Sequence, residues 1–151
     1  MKSYIHITRF PYEEPHVLML GVVASNGRQR GEITIYTVPE DLVEVSRRLR
    51  DFPQSRGEAV VWELGSAQPG DRFGFYFRMR LIPLGRLGHF AVEVQYNNNG
   101  EAPHRASGEF SIEGIVTADL DRLASLLEVF SEMRHQALIW SVNEGELRID
   151  A

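Results

Sequence analysis

The sequence predicts an α+β fold: an internally duplicated pair of β-β-β-α-β units, with antiparallel sheet covered by two packed helices. Three observations predict it. Leu42, Val45, Leu49 and Phe52 share one helical face, and Leu120, Leu123, Leu127 and Phe130 repeat that spacing. A shift of 78 residues lays Asp41, Leu42, Leu49, Phe52, Arg56, Ala59 and Trp62 on Asp119, Leu120, Leu127, Phe130, Arg134, Ala137 and Trp140, seven identities in 22 positions. Ahead of each helix stand alternating apolar and polar runs divided by Asn-Gly turns, Asn26-Gly27 and Asn99-Gly100, each followed by a Gly-Glu pair.

The first unit reads as strands at about 3–10, 16–24 and 31–37, a helix at 39–52 and a strand at 58–64. The second reads as strands at 72–82, 88–97 and 108–115, a helix at 118–133 and a strand at 136–142, with "GELRID" adding a final strand. "FAVEVQY" shows the strand chemistry: Phe90, Val92, Val94 and Tyr96 alternate with Ala91, Glu93 and Gln95. Pro39 suits a first helical turn, Thr37 and Glu40 have capping-box spacing, and Pro53 ends the helix. Short turns between consecutive strands make antiparallel pairing the simplest arrangement. Each helix must bury its apolar face on sheet, at about 1.5–3 kcal/mol per buried Leu or Phe. Trp62 and Trp140 are expected in equivalent buried positions.

A chain of 151 residues with 43% hydrophobic and 25% charged residues is ordinary for one globular domain, here 1–151 with repeats at about 3–64 and 72–142. The apolar run Val17 to Ala24 is too short to span a bilayer, and "MKSYIHITRF" lacks the apolar core of a secretory leader. With no cysteine there are no disulfides, thiolate metal sites or cysteine nucleophiles, which suits the cytoplasm. The net charge of -5 is uneven: residues 1–108 carry +1 and residues 109–151 carry -6. A protein that coats nucleic acid needs a basic track, so nucleic acid is a disfavoured partner.

The runs "SNGRQRGEITIYTVPEDLVEVSRRLRDFP" and "GHFAVEVQYNNNGEAPHRASGEFSI" resemble a group of small conserved bacterial proteins of uncharacterised activity. The likeness covers most of the chain. It implies the order strand pair, Asn-Gly loop, Pro-led helix and Phe-Pro stop, and carries no functional residue.

Four groups of residues bear on chemistry. His16 and His89 are repeat partners, and His16 follows Glu13 and Glu14, but a strand-start histidine usually serves the backbone; no metal or cofactor is expected. No nucleophile-elbow, Ser-x-x-Lys or phosphate-loop motif is present, so no catalytic centre is expected. Arg72, Tyr76, Arg78 and Arg80 share one face of a strand. That is the arrangement of an aromatic and cations that holds single-stranded nucleic acid or anions, unless Glu93, Glu109 and Glu113 on neighbouring strands pair with them. Leu126, Val129 and Met133 give the second helix an apolar stripe that its twin lacks, to be covered either by Leu147 and Ile149 of the tail or by a homodimer partner. Glu128, Glu132, Glu144 and Glu146 make the last third an acidic docking surface. The functional expectation is a non-enzymatic protein-interaction or regulatory module, of immunity or adaptor type, with an unknown protein partner. Nucleic-acid or anion binding is the first alternative and small-molecule binding between the repeats the second.

Overall fold

The computed structural model describes residues 2–12, 14–52, 60–85 and 88–150. Its strands and helices are β1 (Tyr4–Phe10), β2 (Leu18–Ser25), β3 (Arg30–Thr37), α1 (Pro39–Asp51), β4 (Val60–Gly65), β5 (Tyr76–Leu84), β6 (His89–Asn97), β7 (Ser107–Val116), α2 (Thr117–Phe130), β8 (Ala137–Ser141) and β9 (Glu144–Arg148). The expected α+β class and antiparallel pairing are present, with "GELRID" supplying β9.

The strands form two sheets, ordered β3-β2-β1-β8-β9 and β4-β5-β6-β7. Each helix therefore carries the chain from one sheet to the other. β3 lies in the first sheet and β4, after α1, pairs with β5 in the second; β7 lies in the second and β8, after α2, pairs with β1 in the first. The connection is reciprocal, and neither sheet is built from one half of the chain.

Alternation decides what is buried. β3 reads exposed-buried throughout: Gly31, Ile33, Ile35 and Thr37 face inward, while Arg30, Glu32, Thr34 and Tyr36 face out. One connected cluster joins Ile5, Leu20 and Ile35 of the first sheet to Phe77, Val94 and Ile112 of the second, and to Leu42, Leu49, Leu120 and Leu127 of the helices. A small apolar void lined by Leu49, Val60, Met79, Val92, Leu123 and Leu127 marks where both helices meet the second sheet.

The helices touch each other through residues 78 apart. The buried Ser46 hydroxyl donates to the Ala124 main-chain oxygen at 2.7 Å, and one turn on Arg50 pairs with Glu128. Equal offsets one turn apart require the helices to run side by side in the same direction. Small residues at this contact let the backbones approach. The tryptophans follow the same offset: Trp62 and Trp140 are 3% and 0% exposed. The Trp62 indole N–H donates to Asp41 Oδ2 at 2.8 Å, and that of Trp140 to the Asp119 main-chain oxygen at 2.9 Å.

Several local expectations are corrected. The N-cap of α1 is Val38, so the Thr37–Glu40 capping box does not form. Thr37 instead donates its hydroxyl to Asp41 Oδ2 at 2.7 Å, bracing the acid that holds Trp62. Helix α2 ends at Phe130, and Met133 lies past it with φ 60°, so the stripe of Leu126 and Val129 does not continue helically to Met133. Arg72 and Phe73 precede β5: Arg72 closes a 3-10 turn over Pro69–Asp71 with φ 52° and is not on the sheet face. The Pro53 stop, Arg56 and Ala59 lie outside the described residues.

Asp119 shows how polar groups are managed in this core. Its side chain is 1% exposed. It accepts from the N–H groups of Val116 and Asn143, both at 2.9 Å, and from Arg122 at 2.5 Å. Burial pushes its pKa up, but the two backbone donors and Arg122 outweigh burial and hold it below the ordinary carboxylate value.

Two outcomes follow. Ala124→Leu, inserted where the helices touch, should destabilise by about 2 kcal/mol in urea unfolding, whereas Val43→Ala on the exposed face of α1 should stay within about 0.5 kcal/mol of the parent. Asp119→Ala should cost roughly 2–4 kcal/mol near pH 7, because Arg122 and two N–H groups lose their acceptor. The depressed pKa makes that contribution fully present above about pH 4 and progressively lost as pH falls through the folded value. The gap between parent and variant should therefore narrow at low pH; a gap independent of pH would contradict the ionised assignment.

Candidate functional site

The outer face of the second sheet carries two of the arginines that the sequence singles out, Arg78 and Arg80, each within 4 Å of an acid. Arg78 lies 3.9 Å from Glu109 on β7, and Arg80 lies 3.7 Å from Glu93 on β6. The Tyr76 hydroxyl donates to Glu63 Oε2 at 2.6 Å. Burial first, and then Glu63, raise the Tyr76 pKa. Arg72 stands apart from the other three in its turn. This face thus mixes both signs of charge: Arg80 and Glu93 are direct cross-strand neighbours, whereas Arg78 reaches over Gln95 of β6 to Glu109.

The four glutamates singled out in the acidic last third each have a basic partner. Glu128 pairs with Arg50, Glu132 with Arg134, Glu144 with Lys2 and Glu146 with Arg148. Leu126 of α2 and Met133 beyond its end pack against the core together with Leu147 of β9, and Val129 of α2 is half-buried. Gly145 comes so close to Leu126 that a Cβ there would stand 2.8 Å from its Cδ1. Leu147, but not Ile149, takes part in this cover; Ile149 is exposed.

His16, His89 and His104 are exposed and His135 is half-buried. No group of three or more metal-ligating side chains comes together among the described residues. Glu13 lies outside them. His6 sits mid-strand on the outer face of the first sheet; burial first, and Arg148 second, lower its pKa.

A different surface stands out. Tyr12 is 56%, Phe73 52% and Tyr36 41% exposed, and they form one chain of rings through the buried Phe75. Ring centroids are 5.6 Å apart for Tyr12–Tyr36, 6.1 Å for Tyr36–Phe75 and 6.3 Å for Phe73–Phe75. Phe10 continues the patch: it is exposed, covers Gly21 and stands in cross-strand register with Met19, which faces Tyr36. The cluster bridges the two sheets, with Tyr36 from β3 and Phe73 and Phe75 from the segment entering β5.

That segment is held in place. Ser66 N–H donates to Phe75 O at 3.1 Å, and the Asn99 amide donates to both Ser66 O and Phe73 O at 2.8 Å. Asn99 takes φ 53°, so the recurrent Asn-Gly turn has here a second task. The turn-forming contact falls to Asn98, whose Oδ1 accepts from Gly100 N–H at 2.9 Å, as Asn26 Oδ1 accepts from Arg28 N–H at 2.9 Å in the turn between β2 and β3. Between β3 and this segment lies an open cleft of about 650 Å³ lined by Glu32, Ile33, Thr34, Tyr36, Phe75 and Asn98, with Gly74 at its rim. A second cleft of about 620 Å³, with Lys2, Arg122, Glu144 and Glu146 in its lining, has its charges already paired.

The aromatic cluster was not singled out from sequence, although a signal exists. Tyr36 is the one large aromatic on the polar face of "RGEITIYT" and Tyr12 lies beyond the strand at 3–10, whereas Phe73 shares the alternation of Phe75 and Phe77 and so reads as a core position. No protein-family model matches the chain, and no curated protein matches it.

The exposed rings should contribute little to folding. Tyr12→Ala and Phe73→Ala should each change unfolding free energy by no more than about 1 kcal/mol, whereas Phe75→Ala, which empties a buried site, should cost about 3–5 kcal/mol. Equal losses in all three, measured by urea unfolding, would make the cluster part of the core.

Proposed function

We propose that this chain is a protein-interaction module that docks its partner on the aromatic cluster of Tyr12, Tyr36 and Phe73. The observation that carries the reading is the clustering itself: three large exposed rings joined through Phe75. Contiguous exposed apolar area of this kind marks interaction sites, and aromatic side chains supply much of interface energy. The matched charges of the C-terminal glutamates weaken the alternative that the acidic third is the main docking surface. A regulatory role of adaptor or immunity type in a bacterial cytoplasm is the setting this reading takes from the sequence, with a homodimer through α2 left to Val129 and its exposed neighbours. No helix among the described residues is long and apolar enough to cross a membrane.

The pairing of Arg78 and Arg80 with glutamates, in a chain of net charge -5, speaks against nucleic acid as the ligand. The immobilised protein, incubated with extract of its own cells, should retain a discrete partner that the Tyr12→Ser/Phe73→Ser double variant loses while keeping the parent's unfolding midpoint. Identical retention by both proteins would overturn the reading. A single-stranded oligonucleotide should show no saturable binding at about 50 mM salt, where electrostatic affinity is strong; binding abolished by Arg78→Ala would instead favour the nucleic-acid alternative.

A further inference from the structure

The four edges of the two sheets are β3, β9, β4 and β7, and three of them are blunted. On β4 the Arg48 guanidinium donates to Val61 O at 3.1 Å. On β7 the Asn26 amide donates to Ser111 O at 3.1 Å. β9 has only five residues, with Glu144, Glu146 and Arg148 at alternate positions. Short length, charge and side-chain cover are the usual protections of an edge. β3 differs. It runs for eight residues, pairs with β2 throughout, and among the described residues no side chain or neighbouring strand bonds to the backbone groups on its other side.

The cleft of about 650 Å³ lies along that bare side. Glu32, Ile33, Thr34 and Tyr36 form its β3 wall, and Gly74, Phe75 and Asn98 form the other. The far wall is fixed by the bonds of Asn99 to Ser66 and Phe73 and by the Asn98 amide, which donates to His104 O at 2.8 Å. A Cβ placed on Gly74 would meet nothing within 4 Å, so the rim is open.

We propose that this cleft receives an extended peptide segment of the partner, carrying lysine or arginine, which adds to β3 as a sixth strand of the first sheet. The proposal rests on the interaction-module reading and names the chemistry of its partner. Backbone hydrogen bonds along β3 supply affinity, and alternate side chains supply selectivity. Inward-facing side chains of the added strand meet Ile33 and Phe75, so they are apolar. Outward-facing ones meet Glu32, Thr34 and Tyr36. Glu32 is the one side chain of the lining that is charged at neutral pH, and the Tyr36 ring attracts cations over its face. Arg30 lies 3.5 Å from Glu32, but both are well exposed, and such a pair yields readily to a cross-strand cation. A second copy of the chain is a poor occupant. Its own β3 carries the same far wall on the same side, and in an edge-to-edge pair the two walls would compete for one space. The cleft suits a lone strand.

The test uses the whole chain, isotope-labelled for NMR, and three synthetic eight-residue peptides with blocked ends. One alternates valine with lysine, one alternates valine with glutamate, and one is the lysine peptide N-methylated at alternate residues on its pairing edge. The lysine peptide should shift the amides of residues 30–37 and 74–75 in a saturable way. The glutamate and N-methyl peptides should bind at least about tenfold more weakly, because one meets Glu32 with like charge and the other lacks the donors. Glu32→Gln should weaken the lysine peptide and leave the protein folded. No shifts at β3, or equal binding of the N-methyl peptide, would overturn strand addition. Partner capture that still depends on Tyr12 and Phe73 would then leave the interaction reading standing, so the two failures are distinguishable.

Discussion

The side-by-side contact of α1 and α2 is the constraint on which the rest of the structure depends. Each helix leaves one sheet and delivers the next strand to the other, so β4 and β8 reach their places only if the helices meet where Ser46 bonds Ala124. The approach needs small side chains on both helices, and the sequence supplies Ser46 and Ala124 among larger apolar neighbours. Arg50 and Glu128 repeat the contact at the rim with opposite charges. Once the helices are fixed, Trp62 and Trp140 follow, each 21 residues beyond an aspartate and each bonded to it. Helix pairing and tryptophan placement thus share one 78-residue offset.

Element order was legible because it is written in local periodicity. The i, i+3, i+7 spacing of Leu42 to Phe52 and the alternation of "FAVEVQY" need no tertiary information. The division into two sheets was not legible. Nothing in the sequence of β4 says whether it returns to β3's sheet or joins β5, since apolar residues such as Val60 and Trp62 would be buried in either. Helix ends failed for a related reason: Thr37 has capping chemistry, but Asp41 takes its hydroxyl in order to hold Trp62. Met133 fits helical spacing, yet the chain turns at Phe130 and packs Met133 from outside the helix.

The candidate site was less legible than the fold. Arg78 and Arg80 drew attention because charge density is visible along a chain, while the glutamates that match them lie on other strands. Tyr12, Tyr36 and Phe73 are far apart in sequence and become one surface only when β3 is laid against the segment entering β5. The bare edge of β3 is likewise a property of topology: "RGEITIYT" would read the same with partners on both sides.

β3 is the unprotected edge of a structure that guards its other edges. Residue-resolved hydrogen exchange of the free protein tests this most directly. Two classes of amide are expected along residues 30–37: those turned to β2 protected like the strand interior, and those turned to the cleft exchanging at close to unprotected rates. Uniform protection along the strand would mean that the edge is already occupied, and would contradict the account.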